Sequence, residues 1–322
     1  MTTSSETSTS ALETLNWTQL RSAALDELAS LEFPDDIEIP ALPQAVTQFA
    51  DRASDPNVEV PELAAIVETC PGLTFEILKY VNSANFGLKN PIRSVAQAIS
   101  HIGLNAAKTY LIAAGVKAAT AAMESRLLNH RNFWNESLQR GLFARATAAH
   151  LKLDSGLAFM GGLLQDFMLP AMTNQFDSDY IMFMEYEAKS GRDMVDWEQE
   201  TFGWNHAAAA ALVAQKWHFP DDLVCALFYH HSLKTTLGRP EMEFFKLFPV
   251  TMSALLPDQL MQCPTGIAEL IRVDSRCSAI DLDELCRIVD QQQMEQADGF
   301  EIPNHLYSMV QDERAIVAGS SS

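Results

Sequence analysis

The chain has 322 residues, 48% of them hydrophobic and 20% charged, enough to bury a core without disulfide staples. Its net charge of −20, from 42 acids against 22 bases, sets it against phosphate backbones and anionic membrane leaflets. No Lys/Arg cluster offsets that sign, so neither nucleic acid nor membrane is expected as a partner, whereas a basic protein would be attracted. The plainer consequence of the acidity is solubility.

Residues 1–10 are rich in Ser and Thr and predict a disordered lead. A helix is expected over 11–31, with Leu12, Leu15, Leu20, Leu25 and Leu28, and the acidic, Pro-bearing stretch at 31–40 reads as a linker. Seven acids against one base between residues 1 and 36 make this segment well solvated. The start has neither a basic n-region nor an apolar h-region, and no apolar run reaches about 18 residues, so no secretory signal or membrane span is expected.

From Ile39 to Leu256 the pattern is helical nearly throughout. Leu63, Ile66, Val67 and Cys70 recur at i, i+3, i+4 and i+7, one face of a helix whose first turn tolerates Pro61. Pro71-Gly72 ends that helix, and Leu73, Ile77, Leu78 and Val81 form the next stripe. Further helices are expected at about 94–103, 105–122, 131–151, 155–174, 178–190, 193–202, 205–217 and 220–231. No window alternates apolar and polar residues for long enough to be a strand. Residues 257–315 hold three more helices. Residues 256–322 carry twelve acids against four bases, an extension either docked on the bundle or presented to a partner. The cysteines Cys70, Cys225, Cys263, Cys277 and Cys286 form no CxxC pair, which fits reduced thiols in a cytoplasm.

Several local patterns fall in a specific order. The stretch 39–88 carries Leu42-Pro43, Ser54-Asp55-Pro56, Pro71-Gly72-Leu73 and Asn82-Ser83-Ala84. After it come the helix pair at 95–116, a helix at 133–151 opening on Phe133-Trp134, the segment 159–172 with Gln165-Asp166, and 200–232 with His206 and His230-His231. Together these resemble the HDOD family (HD-related output domain) over about 39–256. The resemblance implies an all-α, two-lobed helical bundle. An N-terminal helical lobe would occupy 39–129 and an HD-like core 130–256, preceded by a tail, helix and linker at 1–38 and followed by an acidic helical extension at 257–322. It also implies a cytoplasmic bacterial signalling module that works through contacts with an unidentified protein, or with a second copy of itself, and not as an enzyme.

By the same resemblance, HD phosphohydrolases hold divalent metal through a first His, a His-Asp doublet and a distal Asp, often with further His. Such a metal lowers the pKa of bound water from about 15.7 to about 7 and polarises a phosphoryl oxygen, which takes three or four ligands and an open position. Here Glu136 stands where the first His is expected, and Gln165 replaces the doublet's His beside Asp166. The stretch 247–257 offers no distal carboxylate. His206, His230 and His231 fall where relatives often carry His. The vestigial set is therefore Glu136, Asp166, His206, His230 and His231, with no catalytic residue and no cofactor expected.

Adjacent helical residues point about 100° apart, so His230 and His231 can share a pocket only if the helix ends there. The residues leave open that Asp166 satisfies helix-end N–H groups or pairs with a His in a buried polar network. One rival reading is a metal-dependent phosphohydrolase or cyclic-dinucleotide phosphodiesterase. Another is a nucleotide-binding sensor using the cleft between lobes. Trp134, Trp204 and Trp217 are expected as core anchors. Met160, Met168, Met172, Met182 and Met184 are expected as gap fillers or a deformable partner surface. Gly161-Gly162 follows no strand and opens no phosphate loop.

Overall fold

The computed structural model describes residues 16–28, 41–82, 88–121, 123, 125–238, 243–296 and 305–319. Among these residues every regular element is helical and there is no strand. The expected disordered lead, the linker at 31–40 and Ser83-Ala84 lie outside the described residues.

The first helix, α1 (Trp17–Leu28), is docked, not solvated throughout. Leu20 packs with Cys225, Ala226 and Val250 of the HD-like lobe. Asp221 holds both Arg21 (2.7 Å) and the Thr18 hydroxyl (2.7 Å). The acids of this segment suggested solvation, but one apolar face of the helix decides its place.

The N-terminal lobe comprises α2 (Gln44–Arg52), α3 (Val60–Glu68), α4 (Pro71–Val81), α5 (Val95–Ile102) and α6 (Leu104–Thr120). Leu63, Val67, Leu73, Ile77 and Val81 are buried, as the periodicity requires. Pro71 begins α4 at its first turn, where a missing N–H costs nothing. Asn82 closes α4: its amide donates to the carbonyls of Leu78 and Ile92 (2.8 Å each) while its oxygen accepts the Ile92 N–H.

The HD-like lobe is built on an antiparallel pair, α7 (His130–His150) and α8 (Ser155–Leu164), capped by the side chains of Asn129 and Asp154. Glycines let the two helices close up. A Cβ at Gly162 would stand 2.7 Å from the Arg140 carbonyl oxygen, and one at Gly141 would stand 3.0 Å from that of Phe159. Gly161-Gly162 thus serves packing. Then follow α9 (Leu169–Gln175), α10 (Asp177–Met182) with a π-turn and a 3₁₀ turn to Ser190, α11 (Met194–Phe202), α12 (His206–Lys216), α13 (Asp221–Phe228), α14 (Leu233–Gly238) and α15 (Phe248–Ser253). One helix was expected over 155–174, but the chain breaks at 165–168. Pro170 cannot continue a helix interior and instead sits in the first turn of α9.

Trp134, Trp204 and Trp217 are buried, and so are Met160, Met168 and Met172, whereas Met182 is exposed. The C-terminal α16 (Gly266–Arg276), α17 (Leu282–Gln296) and α18 (Leu306–Gly319) are docked. Leu270, Leu285, Val289, Leu306 and Val310 share a core with Leu142 and Phe143 of α7 and with Phe248, Met252 and Leu256. Full burial of each such side chain contributes about 1.5–3 kcal/mol, so the extension covers apolar surface the bundle cannot leave bare. Among the described residues no helix is long and apolar enough to cross a membrane.

Candidate functional site in the HD-like lobe

Three interruptions of helix bring polar side chains to one buried place. The break after α8 releases Gln165 and Asp166. The end of α13 at Phe228 leaves Tyr229, His230 and His231 in a turn, so the two adjacent imidazoles can both turn inward. The turn after α15 delivers Asp258, one residue beyond the stretch that seemed to lack a distal carboxylate. No local pattern in the sequence marks Asp258 as that carboxylate.

Arg140, from the middle of α7, occupies the centre. Its Nη1 donates to Oδ2 of Asp166 (2.5 Å), and its Nη2 donates to Oδ2 of Asp258 (2.7 Å) and to the Leu256 carbonyl (3.0 Å). Side chains of Arg140 and Asp166 are each 2% exposed, and that of Asp258 is 4%. Burial alone would lower the guanidinium's pKa, but Asp166, Asp258 and Glu136 together raise it. Burial likewise works to raise Asp166, yet Arg140 and then the imidazoles hold it below the usual carboxylate range. Asp258 stays raised, because burial outweighs its share of Arg140.

Glu136, expected to replace the first His, does not join the histidines. It lies one turn before Arg140, where its carboxylate accepts weakly from the Gln259 backbone (3.4 Å) and side chain (3.3 Å). Burial, then Asp258, pushes its pKa up to about 7. The other four expected residues do come together. Nε2 of His206 is 2.9 Å from Nε2 of His231 and 3.2 Å from Nε2 of His230. Oδ1 of Asp166 is 3.5 Å from the His206 Nε2 and 3.7 Å from that of His230.

Glu198, also unforeseen, anchors this cluster from α11. Its Oε2 accepts from the backbone N–H of His206 (2.9 Å) and meets His206 Nδ1 at 2.6 Å, while its Oε1 accepts the Tyr180 hydroxyl (2.6 Å). Nδ1 of His230 meets the Leu227 carbonyl at 2.7 Å. Burial lowers the pKa of His231 well below the imidazole range and takes that of His230 to about 3. At His206 burial also works downward, but Glu198 and Asp166 prevail and raise it.

Two of the three missed residues left a trace in the sequence. Arg140 stands on the buried stripe Phe133, Ser137, Arg140, Ala144, Thr147, and Glu198 stands beside Trp197 on the buried side of α11. A charge on an apolar stripe is seldom buried without a partner.

Residues 39–233 match the family model described as HDOD domain. The chain belongs to the HDOD domain family. This HDOD protein is 24% identical over 200 residues to an uncharacterized protein of Treponema pallidum (strain Nichols), across 61% of the present chain and 38% of that relative. The chain therefore spans well under half the length of the curated relative it matches.

Its fold is similar to a crystal structure from Shewanella amazonensis SB2B provisionally assigned as a phosphohydrolase, with 20% identity and a TM-score of 0.61 over 86% of this chain and 97% of that one. It is also similar to an HDOD domain protein with unknown function from Geobacter sulfurreducens, with 15% identity and a TM-score of 0.55 over 94% and 96% of the two chains. A provisionally assigned signal transduction protein from Marinobacter aquaeolei VT8 gives 17% identity and a TM-score of 0.56 over 88% and 67%. At these identities the likeness concerns the HD-like helical fold, and the family, not the neighbours' assignments, identifies the chain.

Proposed function

We propose that this HDOD protein is a non-catalytic regulatory module that acts through protein–protein contacts. The carrying observation is the Arg140 guanidinium, bonded at once to Asp166 and Asp258. A divalent ion ligated by a doublet aspartate and a distal aspartate would need the ground that the guanidinium fills. The doublet's His is replaced by Gln165, whose oxygen accepts the Ser253 hydroxyl at 3.1 Å. The residues present do not fit a hydrolytic metal centre spanning these two aspartates. Arg140 supplies fixed positive charge but neither an activated water nor an open coordination position.

The cavity of about 620 Å³ beside His230 and His231 lies in the HD-like lobe and the C-terminal helices, not between the lobes, and it does not favour a nucleotide. Asp193, Asp196 and Glu269 on its wall outnumber Lys234 and Arg272, an unfavourable lining for phosphates.

Capture of the tagged full chain from its own cells tests the proposal. A stoichiometric protein partner, retained equally by Asp166→Asn, is the expected result. Recovery of the chain alone, with turnover of a phosphoester, would overturn it.

A further inference from the structure

The helix α10 and the π-turn that continues it, residues 177–187, are apolar on two sides. The inner side is buried. Tyr180 and Phe183 set their rings against Trp197, at centroid distances of 5.3 and 5.0 Å, and Ala188 closes the same side. The outer side is left unexplained by the fold. Ile181 is 39% exposed, Met182 56% and Tyr186 62%, all within about one and a half turns. The other large apolar residues exposed among the described residues stand singly along the chain, which is ordinary for a protein surface. A helix that is apolar all round belongs in a core or beneath a partner.

Charge selects the partner. Between residues 177 and 190 the chain carries four acids, Asp177, Asp179, Glu185 and Glu187, against one base, Lys189. Asp177 is paired with Arg126 (3.7 Å) and Glu187 with Arg192 (3.1 Å). Asp179 and Glu185 are exposed, and among the described residues neither forms an ion pair. The patch is therefore apolar in the middle and acidic at its edge. A second copy would bring the same acids and a net charge of −20, and a self-complementary contact would set like charges together. The stretch 31–40, with four acids and no base, is disfavoured by the same sign, and so is an anionic membrane surface. A partner that flanks an apolar stripe with lysine or arginine meets both needs. Met182 can conform to aliphatic side chains, and Tyr186 offers a ring with a polar tip.

We propose that the outer face of α10 and its π-turn, centred on Ile181, Met182 and Tyr186, docks a basic amphipathic helix of another protein. Exposed side chains recur at Ser178, Ile181, Met182, Glu185, Tyr186 and Lys189, the i, i+3, i+4, i+7, i+8 and i+11 positions of one helix face. Such a face offers ridges between which the side chains of a second helix fit. The π-turn at Phe183–Glu187 interrupts it, and single π-turns are frequent at functional places in helices. Asp179 and Glu185 stand beside the apolar stripe, where cations on the partner would speed encounter and fix its register. This names a contact surface for the regulatory module proposed above and rests on that reading.

The full chain is titrated with a fluorescent leucine–lysine peptide of about 20 residues, its leucines on one helix face, and with a leucine–glutamate peptide of the same pattern. The first should bind saturably, more weakly as salt rises, and the second should not bind. Hydrogen exchange should show protection confined to residues 177–190. Met182→Ala with Tyr186→Ala should weaken binding at least about tenfold. Asp179→Asn with Glu185→Gln should weaken it about three- to tenfold. Glu68→Lys with Asp312→Lys, a larger charge change at exposed acids elsewhere, should leave it within about twofold. Undiminished binding by the Met182→Ala, Tyr186→Ala variant, or protection spread over the acidic surface, would overturn the docking face. Confined binding together with phosphoester turnover would uphold the face and sink the non-catalytic reading. No saturable binding and no turnover would do the reverse.

Discussion

Nη1 of Arg140 lies 2.5 Å from Oδ2 of Asp166, and both side chains are closed off from solvent. The same guanidinium reaches Asp258 with its other nitrogen, so one arginine joins the turn after α8 to the turn after α15. Such a clamp is worth less to stability than its short bonds suggest, because each charge gave up its hydration to enter. Breaking one side of it is another matter.

Arg140→Met would leave Asp166 and Asp258 buried without their counter-charge. A loss of about 3–5 kcal/mol in urea unfolding is expected, with partial recovery when Asp166→Asn and Asp258→Asn are added. Arg140→Lys should recover little, since a point charge cannot reproduce a fork that holds two carboxylates and a carbonyl. An Arg140→Met variant as stable as the parent would show the clamp to be incidental.

Glu136 gives the fold a pH dependence of definite sign. Its pKa moves from 4.5 to about 7, driven by burial and then by Asp258 against the opposing pull of Arg140. A carboxyl that holds its proton more tightly in the fold favours folding below the unfolded value, and that contribution is lost as pH rises through about 7. Glu136→Gln should therefore flatten the stability profile between about pH 4.5 and 7. At pH 8 it should gain about 2 kcal/mol, less than the full shift would give because the side chain keeps some solvent contact. Unfolding midpoints across this range check both points, and a variant less stable than the parent at pH 8 would contradict them.

Gly162 holds the clamp in place from the neighbouring helix. Gly162→Ala would press a methyl group to 2.7 Å from the Arg140 carbonyl oxygen, which is backbone and cannot swing away. A destabilisation of about 1–3 kcal/mol is expected. In the variant's crystal structure Arg140 should be displaced relative to Asp258, and an unshifted arginine would argue against this coupling.

Truncation after Leu256 removes more than an acidic tail. It deletes Asp258 and uncovers Leu142 and Phe143. The shortened chain should aggregate or expose dye-binding apolar surface, as seen in a fluorescence titration. A monomeric, cooperatively unfolding truncation would mean that α16, α17 and α18 are dispensable.

The helical class was legible because periodicity reports burial on a helix face directly. Leu63, Val67, Leu73 and Ile77 lie where their spacing puts them. Asp166, His206, His230 and His231 were also legible as candidates, and they do converge. The chemistry of the centre was not. Arg140 and Asp258 are 118 residues apart, and their meeting depends on a turn whose path no local pattern specifies. Glu136 was placed by sequence order, but one helical turn separates it from the residue that reaches Asp166. The docking of the C-terminal helices likewise follows from which apolar faces find each other, a tertiary choice that charge counting misses.

The most direct measurement is phosphoester turnover by the full chain, stripped and reloaded with Mn²⁺, Fe²⁺, Ni²⁺ or Zn²⁺ and supplied with an activated diester or a cyclic dinucleotide. With Arg140 joined to Asp166 and Asp258, the rate should equal that of metal in buffer alone. Metal-dependent turnover that disappears in Asp166→Ala would contradict the assignment.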